Sequence, residues 1–144
     1  MPSDPPSGPL VVDANVLFSA LLRDGATRHV ILFSRLNLHT PAALWDEFEA
    51  HRAYLLEKSR ATEAAFDLLL RLLKERIRSV PTEVIRPHLG RAERALAATD
   101  PSDAPYLATA LAIGGGIWTH DKPFSKKAGV RVWSTAEILA GTRG

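Results

Sequence analysis

Along the chain, short apolar runs alternate with stretches whose apolar residues return every three or four positions, the pattern of strands exchanging with helices. Leu10 to Val12 reads as a buried first strand that ends at Asp13. Asn15 is placed to cap the helix after it, Val16 to Arg23, and Asp24-Gly25 stops that helix. Thr27 starts another short helix through Ser34. Leu36 to His39 predicts a second strand, and Thr40-Pro41 then supplies a cap and a first-turn proline for a helix reaching about Leu56. A longer amphipathic helix is expected from Thr62 to Arg76, with Ala65, Phe66, Leu68, Leu69, Leu72 and Leu73 as its apolar positions.

Ile77 to Val80 predicts a third strand closed by Pro81, and a helix follows Pro87 through Ala98. Asp100 to Asp103 forms a turn and helix start. The helix Ala104 to Ile113 ends at Gly114, and Gly116 to Thr119 resumes as a strand running into Asp121. Val130 to Trp133 is the last strand. Ser134-Thr135-Ala136-Glu137 then opens a terminal helix as a capping box, with the glutamate reaching back to the serine amide. Strands alternating with helices predict an α/β fold, a three-layer α/β/α sandwich around a mostly parallel sheet.

Composition narrows the class. At 144 residues and 46% hydrophobic content, one core suffices, so residues 9–144 are expected to form a single domain after a Pro/Ser-rich, disordered tail over residues 1–8. That tail lacks a basic n-region and is not a targeting signal. The absence of cysteine excludes disulfide frameworks and thiolate zinc sites and points to a reducing, cytoplasmic setting. The apolar run from Pro9 to Leu22 is interrupted by Asp13, Asn15 and Ser19, so no membrane span is expected. Formal charge is only +2, yet setting aside four acids considered below leaves 12 acidic against 18 basic residues. A cationic surface around an acidic pit suits a polyanionic ligand.

Those acids are Asp13, Glu47, Asp103 and Asp121. In an open parallel sheet the C-terminal ends of strands and the N-terminal ends of the following helices share one rim, where ligands bind. Asp13 and Asp121 follow strands, and Glu47 and Asp103 sit early in helices, so all belong to that rim. Crowded carboxylates repel one another, and protons or a divalent cation must neutralise them. Helical phase, with Leu44, Phe48, His51 and Leu55 as the inward stripe, favours Glu47 over its neighbours Asp46 and Glu49. Asp103, stacked below Tyr106 and Leu107, is favoured over Asp100. An all-carboxylate set selects Mg2+ or Mn2+. Lys122, Lys126, Lys127 and Arg131 lie close in sequence and are candidates to grip flanking phosphates.

VVDANVLFSALL, TPAALWDEF, DPSDAPYLATAL and IWTHDKPF, taken in that order, resemble the PIN-domain family of compact nucleases, which includes the VapC-type toxins of toxin–antitoxin pairs. The resemblance implies a PIN-like sandwich, metal-binding acids at Asp13, Glu47, Asp103 and Asp121, and polar neighbours at Asn15 and Thr119. It further implies a Mg2+- or Mn2+-dependent endoribonuclease acting on RNA, with an antitoxin and a homodimer as partners. For an antitoxin, the apolar face of the Thr62 to Arg76 helix or a groove around Tyr54 and Leu55 is the candidate seat, although core packing within the monomer or a homodimer is the favoured account of these residues. A metal-activated water attacking the phosphodiester in line would be the chemistry.

Three rivals are weaker. A receiver-like phosphoacceptor needs an acidic pair at the first strand and an acid after the third, and Ile77 to Val80 ends without one. A dinucleotide-binding fingerprint would follow a strand, whereas Gly114 to Gly116 follows a helix. The remaining rival is a PIN-like binder of nucleic acid or protein with little turnover.

Overall fold

The computed structural model describes residues 6–120 and 129–142. Within them, five strands form one sheet: β1 (Pro9–Val12), β2 (Asn37–Pro41), β3 (Arg78–Val80), β4 (Gly116–Thr119) and β5 (Val132–Ser134). Their order is β3-β2-β1-β4-β5 and every pairing is parallel. β1 is central because Leu10, Val11 and Val12 are all fully enclosed. A strand that is apolar on both faces needs cover on both, as parallel sheets provide.

The helices are α1 (Ala14–Leu22), α2 (Ala26–Phe33), α3 (Ala43–Ala50), α4 (Arg52–Ser59), α5 (Glu63–Arg76), α6 (Thr82–Ala95), α7 (Ala104–Ile113) and α8 (Thr135–Thr142). Residue alternation along β1 assigns them to two layers. Leu10 and Val12 join a core with Leu17, Ile31, Phe48, Phe66, Trp118 and Ile138, contributed by α1, α2, α3, α5, β4 and α8. Val11 points the other way, into a core with Ile85, Ala92, Leu107 and Ile117 under α6 and α7. The chain is thus a three-layer α/β/α sandwich whose sheet is wholly parallel. None of the helices among the described residues is long and apolar enough to cross a membrane.

Several local expectations hold. Thr62 caps α5 by accepting from the Ala65 amide. The capping box at the start of α8 forms both reciprocal bonds, Ser134 N–H to Glu137 Oε1 at 3.0 Å and Glu137 N–H to Ser134 Oγ at 3.1 Å. The glycine run has three separate duties. Gly114 ends α7 in the left-handed region at φ 68°. A Cβ on Gly115 would lie 2.4 Å from the Pro9 carbonyl oxygen, and one on Gly116 would meet the Arg131 carbonyl at 2.9 Å.

Others are corrected. Asp13, not Asn15, caps α1, because its carboxylate accepts from the Val16 amide. Thr40 and Pro41 belong to β2, and α3 begins at Ala43 without a side-chain cap. Strand pairing with β3 wins over the local capping signal: Thr40 and Pro41 register against Ser79 and Val80. The expected helix to Leu56 is two helices hinged at His51, whose φ of −108° and ψ of 18° leave the helical region. That hinge turns His51 out to solvent rather than along the inward stripe. Pro87 lies inside α6, which starts five residues earlier at Thr82. An interior proline costs about 3 kcal/mol, which here is offset by burying Ile85, Ala92 and Leu96 against α7. The last strand is Val132–Ser134, displaced from the expected Val130 to Trp133 because the register with β4 pairs Ile117 with Val132.

Candidate functional site

Strand order reverses at β1, with β2 and β3 on one side and β4 and β5 on the other. At such a point the crossovers leave the sheet in opposite directions and open a crevice beyond the strand ends. Asp13 occupies it, being the first residue after β1. It is pinned from three sides. Its amide donates to the Trp118 carbonyl of β4 at 3.3 Å, the Val12 carbonyl before it accepts from the Thr40 hydroxyl of β2 at 3.1 Å, and its Oδ1 accepts from Val16 N–H at 3.1 Å. Asp13 is 5% exposed.

Glu47 comes from α3, where Leu44, Trp45 and Phe48 are buried and set the helix rotation. Trp45 is tied further by its indole N–H to the Ser79 hydroxyl at 3.0 Å. That rotation resolves the competition among neighbours: Glu49 faces α5 and pairs with Lys74 at 3.5 Å, whereas Glu47 turns toward Asp13's crevice. Asp46 is exposed and does not line the crevice. Asp103 sits half-buried at the junction of a short 3-10 turn, Pro101–Asp103, with α7. Asp100 caps that turn, accepting from the Ser102 amide at 3.0 Å and its hydroxyl at 2.6 Å. Those two bonds hold the Asp100 carboxyl below its ordinary value.

The result is a cavity of about 350 Å³ bordered by Asp13, Asn15, Glu47, Asp100, Ser102, Asp103 and Tyr106, with Ala14, Pro41, Ala43, Leu44 and Pro105 as its other walls. Tyr106 reports on its charge. Burial raises the phenol well above its ordinary value, and Glu47, Asp13 and Asp103 raise it further. Three carboxylates from three chain segments therefore act on one hydroxyl. Sequence reasoning missed Tyr106 and Ser102 as wall residues. Their signals were Tyr106 one turn after Asp103 and Ser102 two residues after Asp100, the spacing of an Asx turn.

Among the described residues no three His, Asp or Glu side chains close into a metal cage. The acids instead border an open space, and the donor chemistry, all carboxylate, fits a hard cation that keeps part of its water shell. Of the other expected residues, Asn15 is exposed at the cavity edge and Thr119, 1% exposed, ends β4 level with Asp13. Arg131 is not brought to the cavity. It precedes β5, pairs with Glu137 at 3.7 Å and stacks over the Trp133 ring at 3.6 Å. Asp121, Lys122, Lys126 and Lys127 lie outside the described residues.

A family model described as the PIN domain matches residues 11–142 of the chain. No curated protein matches it.

Proposed function

Since the chain belongs to the PIN-domain family, whose members are generally nucleases, we propose that it is a divalent-metal-dependent endoribonuclease with Asp13, Glu47 and Asp103 as its metal-holding acids. The observation that carries this reading is the convergence of those acids on one cavity at the strand-order reversal, where all three act on Tyr106. Asp121 would be the fourth acid. Mg2+ or Mn2+ held there would supply water activation and charge neutralisation for in-line phosphodiester hydrolysis.

The chain's own residues have distinct parts. Asp13 is fixed by backbone bonds on both sides and by its helix cap, which hold its carboxylate at the cavity. Glu47 and Asp103 border the same cavity, one carried by α3 and the other by the start of α7. Tyr106, kept protonated by its surroundings, can donate a hydrogen bond to an anionic oxygen across the working pH range. Asn15 at the rim adds a polar side chain beside the substrate path.

The test is cleavage of mixed RNA with Mn2+ present or chelated, for the wild type and Asp13→Asn. Metal-dependent products from the wild type alone support the proposal. RNA binding without products favours the low-turnover rival. The proposal extends to a toxin role, for which Leu68 and Leu72 of α5, 48% and 38% exposed and one turn apart, offer an antitoxin an apolar strip. Expression should then arrest growth and Asp13→Asn should relieve it; unimpaired growth with active enzyme present would remove the toxin role.

A further inference from the structure

At the far end of α1 from Asp13, the structure has a second cavity, of about 540 Å³, lined by Leu22, Arg23, Tyr54, Glu57, Lys58 and Arg60. α1 has 9 residues, so the two cavities stand about 13 Å apart along its axis. Leu55, expected beside Tyr54 in a groove, is in the core at 1% exposed. Beside Leu22 and Glu57, what faces this cavity is three cations and one aromatic ring.

Three cations against one acid usually mean ordinary surface charge, or compensation of helix C-termini. Helix ends explain this place only in part, since Lys58 alone lies in the last turn of α4. The last carbonyls of α1 have their own cation, since Arg28 donates to Ala20 O at 2.7 Å and to Leu21 O at 3.2 Å. In α4 the Leu56 carbonyl accepts from the Ser59 hydroxyl at 2.7 Å, and the Glu57 carbonyl accepts from the Arg60 amide at 3.2 Å. Among the described residues, no ion pair engages Arg23, Lys58 or Arg60.

Arg60 supplies an independent sign. It is the one non-glycine residue with positive φ among those described, at φ 57° and ψ 17°. Glycine ends a helix this way without penalty, whereas any side chain there is strained. An arginine in that position places a guanidinium on the cavity wall against the local preference, as happens where a side chain has work to do. Tyr54 completes the set: it is 60% exposed, with the Lys58 ammonium 5.9 Å from its ring centre. An exposed ring with Lys58 over one face, beside Arg23 and Arg60 that no ion pair engages, matches a base with its adjoining phosphates.

We propose that this cavity is a second contact for single-stranded nucleic acid, with a base on Tyr54 and phosphates gripped by Arg23, Lys58 and Arg60. That the strand is RNA rests on the ribonuclease reading; the binding itself does not. One strand could then span α1, held here while a phosphate further along meets the acids.

The experiment measures binding of a labelled single-stranded RNA of about 12 nucleotides to the full chain, without divalent metal so that cleavage plays no part. Arg60→Gly should weaken binding about fourfold near 0.15 M salt and reduce the slope of log K against log salt by about 0.7. The same change relieves the backbone, so its Tm should equal or exceed that of the wild type, which a merely structural arginine would not give. Tyr54→Ala should weaken binding at least about fivefold. Unchanged affinity and slope in both variants would overturn the proposal, as would competition by polyglutamate on equal terms with RNA, which would point to an acidic protein instead. If the wild type fails to cut RNA with metal present yet these losses appear, the ribonuclease reading falls and this one stands.

Discussion

Replacing Asp13 separates its two duties, because the same carboxylate caps α1 and faces the acidic cavity. Asparagine and aspartate cap helices about equally well, so Asp13→Asn keeps the bond to the Val16 amide. It also removes one charge beside Glu47 and Asp103. In metal-free buffer Asp13→Asn should therefore be more stable than Asp13→Ala, by the cap that it keeps. Asp13→Ala loses the cap and should cost about 1 kcal/mol, a fall in Tm of roughly 2–5 °C for a chain of this size. Divalent metal gives the complementary readout. At 100 times its Kd a ligand of the native state stabilises by about 2.7 kcal/mol, so Mn2+ should raise the wild-type Tm by several degrees and leave Asp13→Asn nearly unmoved. RNA cleavage should fall at least about 10²-fold in both variants. Differential scanning calorimetry with and without Mn2+, beside a cleavage assay on the same preparations, measures all three quantities. The reasoning fails if Asp13→Asn cuts RNA at the wild-type rate or keeps the full Mn2+ shift.

Glu47→Gln should lower cleavage by at least about 10²-fold, whereas Glu49→Gln, which loses its pair with Lys74 and a weak attraction to Arg52, should stay within about twofold and lose no more than about 1 kcal/mol of stability; equal losses of activity would mean that α3 is rotated from the position described. His39 gives a pH dependence. Burial, and then the Arg78 guanidinium, hold it below its ordinary value of 6.5, so the unfolded chain takes up that proton first and stability declines as pH falls below that value. Urea midpoints at about pH 7.5 and about pH 5 should differ less for His39→Gln than for the wild type, and equal differences would exclude His39 as a source.

Much of this fold was legible because its signals are local. The capping box at Ser134 and Glu137, the Thr62 cap, and the stop at Gly114 each depend on a few adjacent residues, and each forms as expected. The errors arose where distant segments compete with such signals. Thr40 and Pro41 look like a helix start, but pairing with Ser79 and Val80 places them in a strand. Pro87 looks like a boundary, yet the burial of Ile85 and Ala92 carries α6 through it. Gly114 to Gly116 showed in sequence only as a helix stop and the start of a strand, and it is the approach of Pro9 and Arg131 that leaves no room for a side chain at Gly115 and Gly116.

The candidate site divides in the same way. The order of strands and helices placed Asp13, Glu47 and Asp103 on one edge, since in a parallel sheet chain direction alone decides which ends meet. Sequence thus determined the fold class, the family resemblance and the acids worth testing. Only tertiary structure could decide that Glu49 turns away to Lys74, that Tyr106 feels three carboxylates, and that Arg131 is engaged with Trp133 and Glu137. Those facts depend on helix rotation and on contacts between segments far apart in the chain, and no local pattern of residues encodes either.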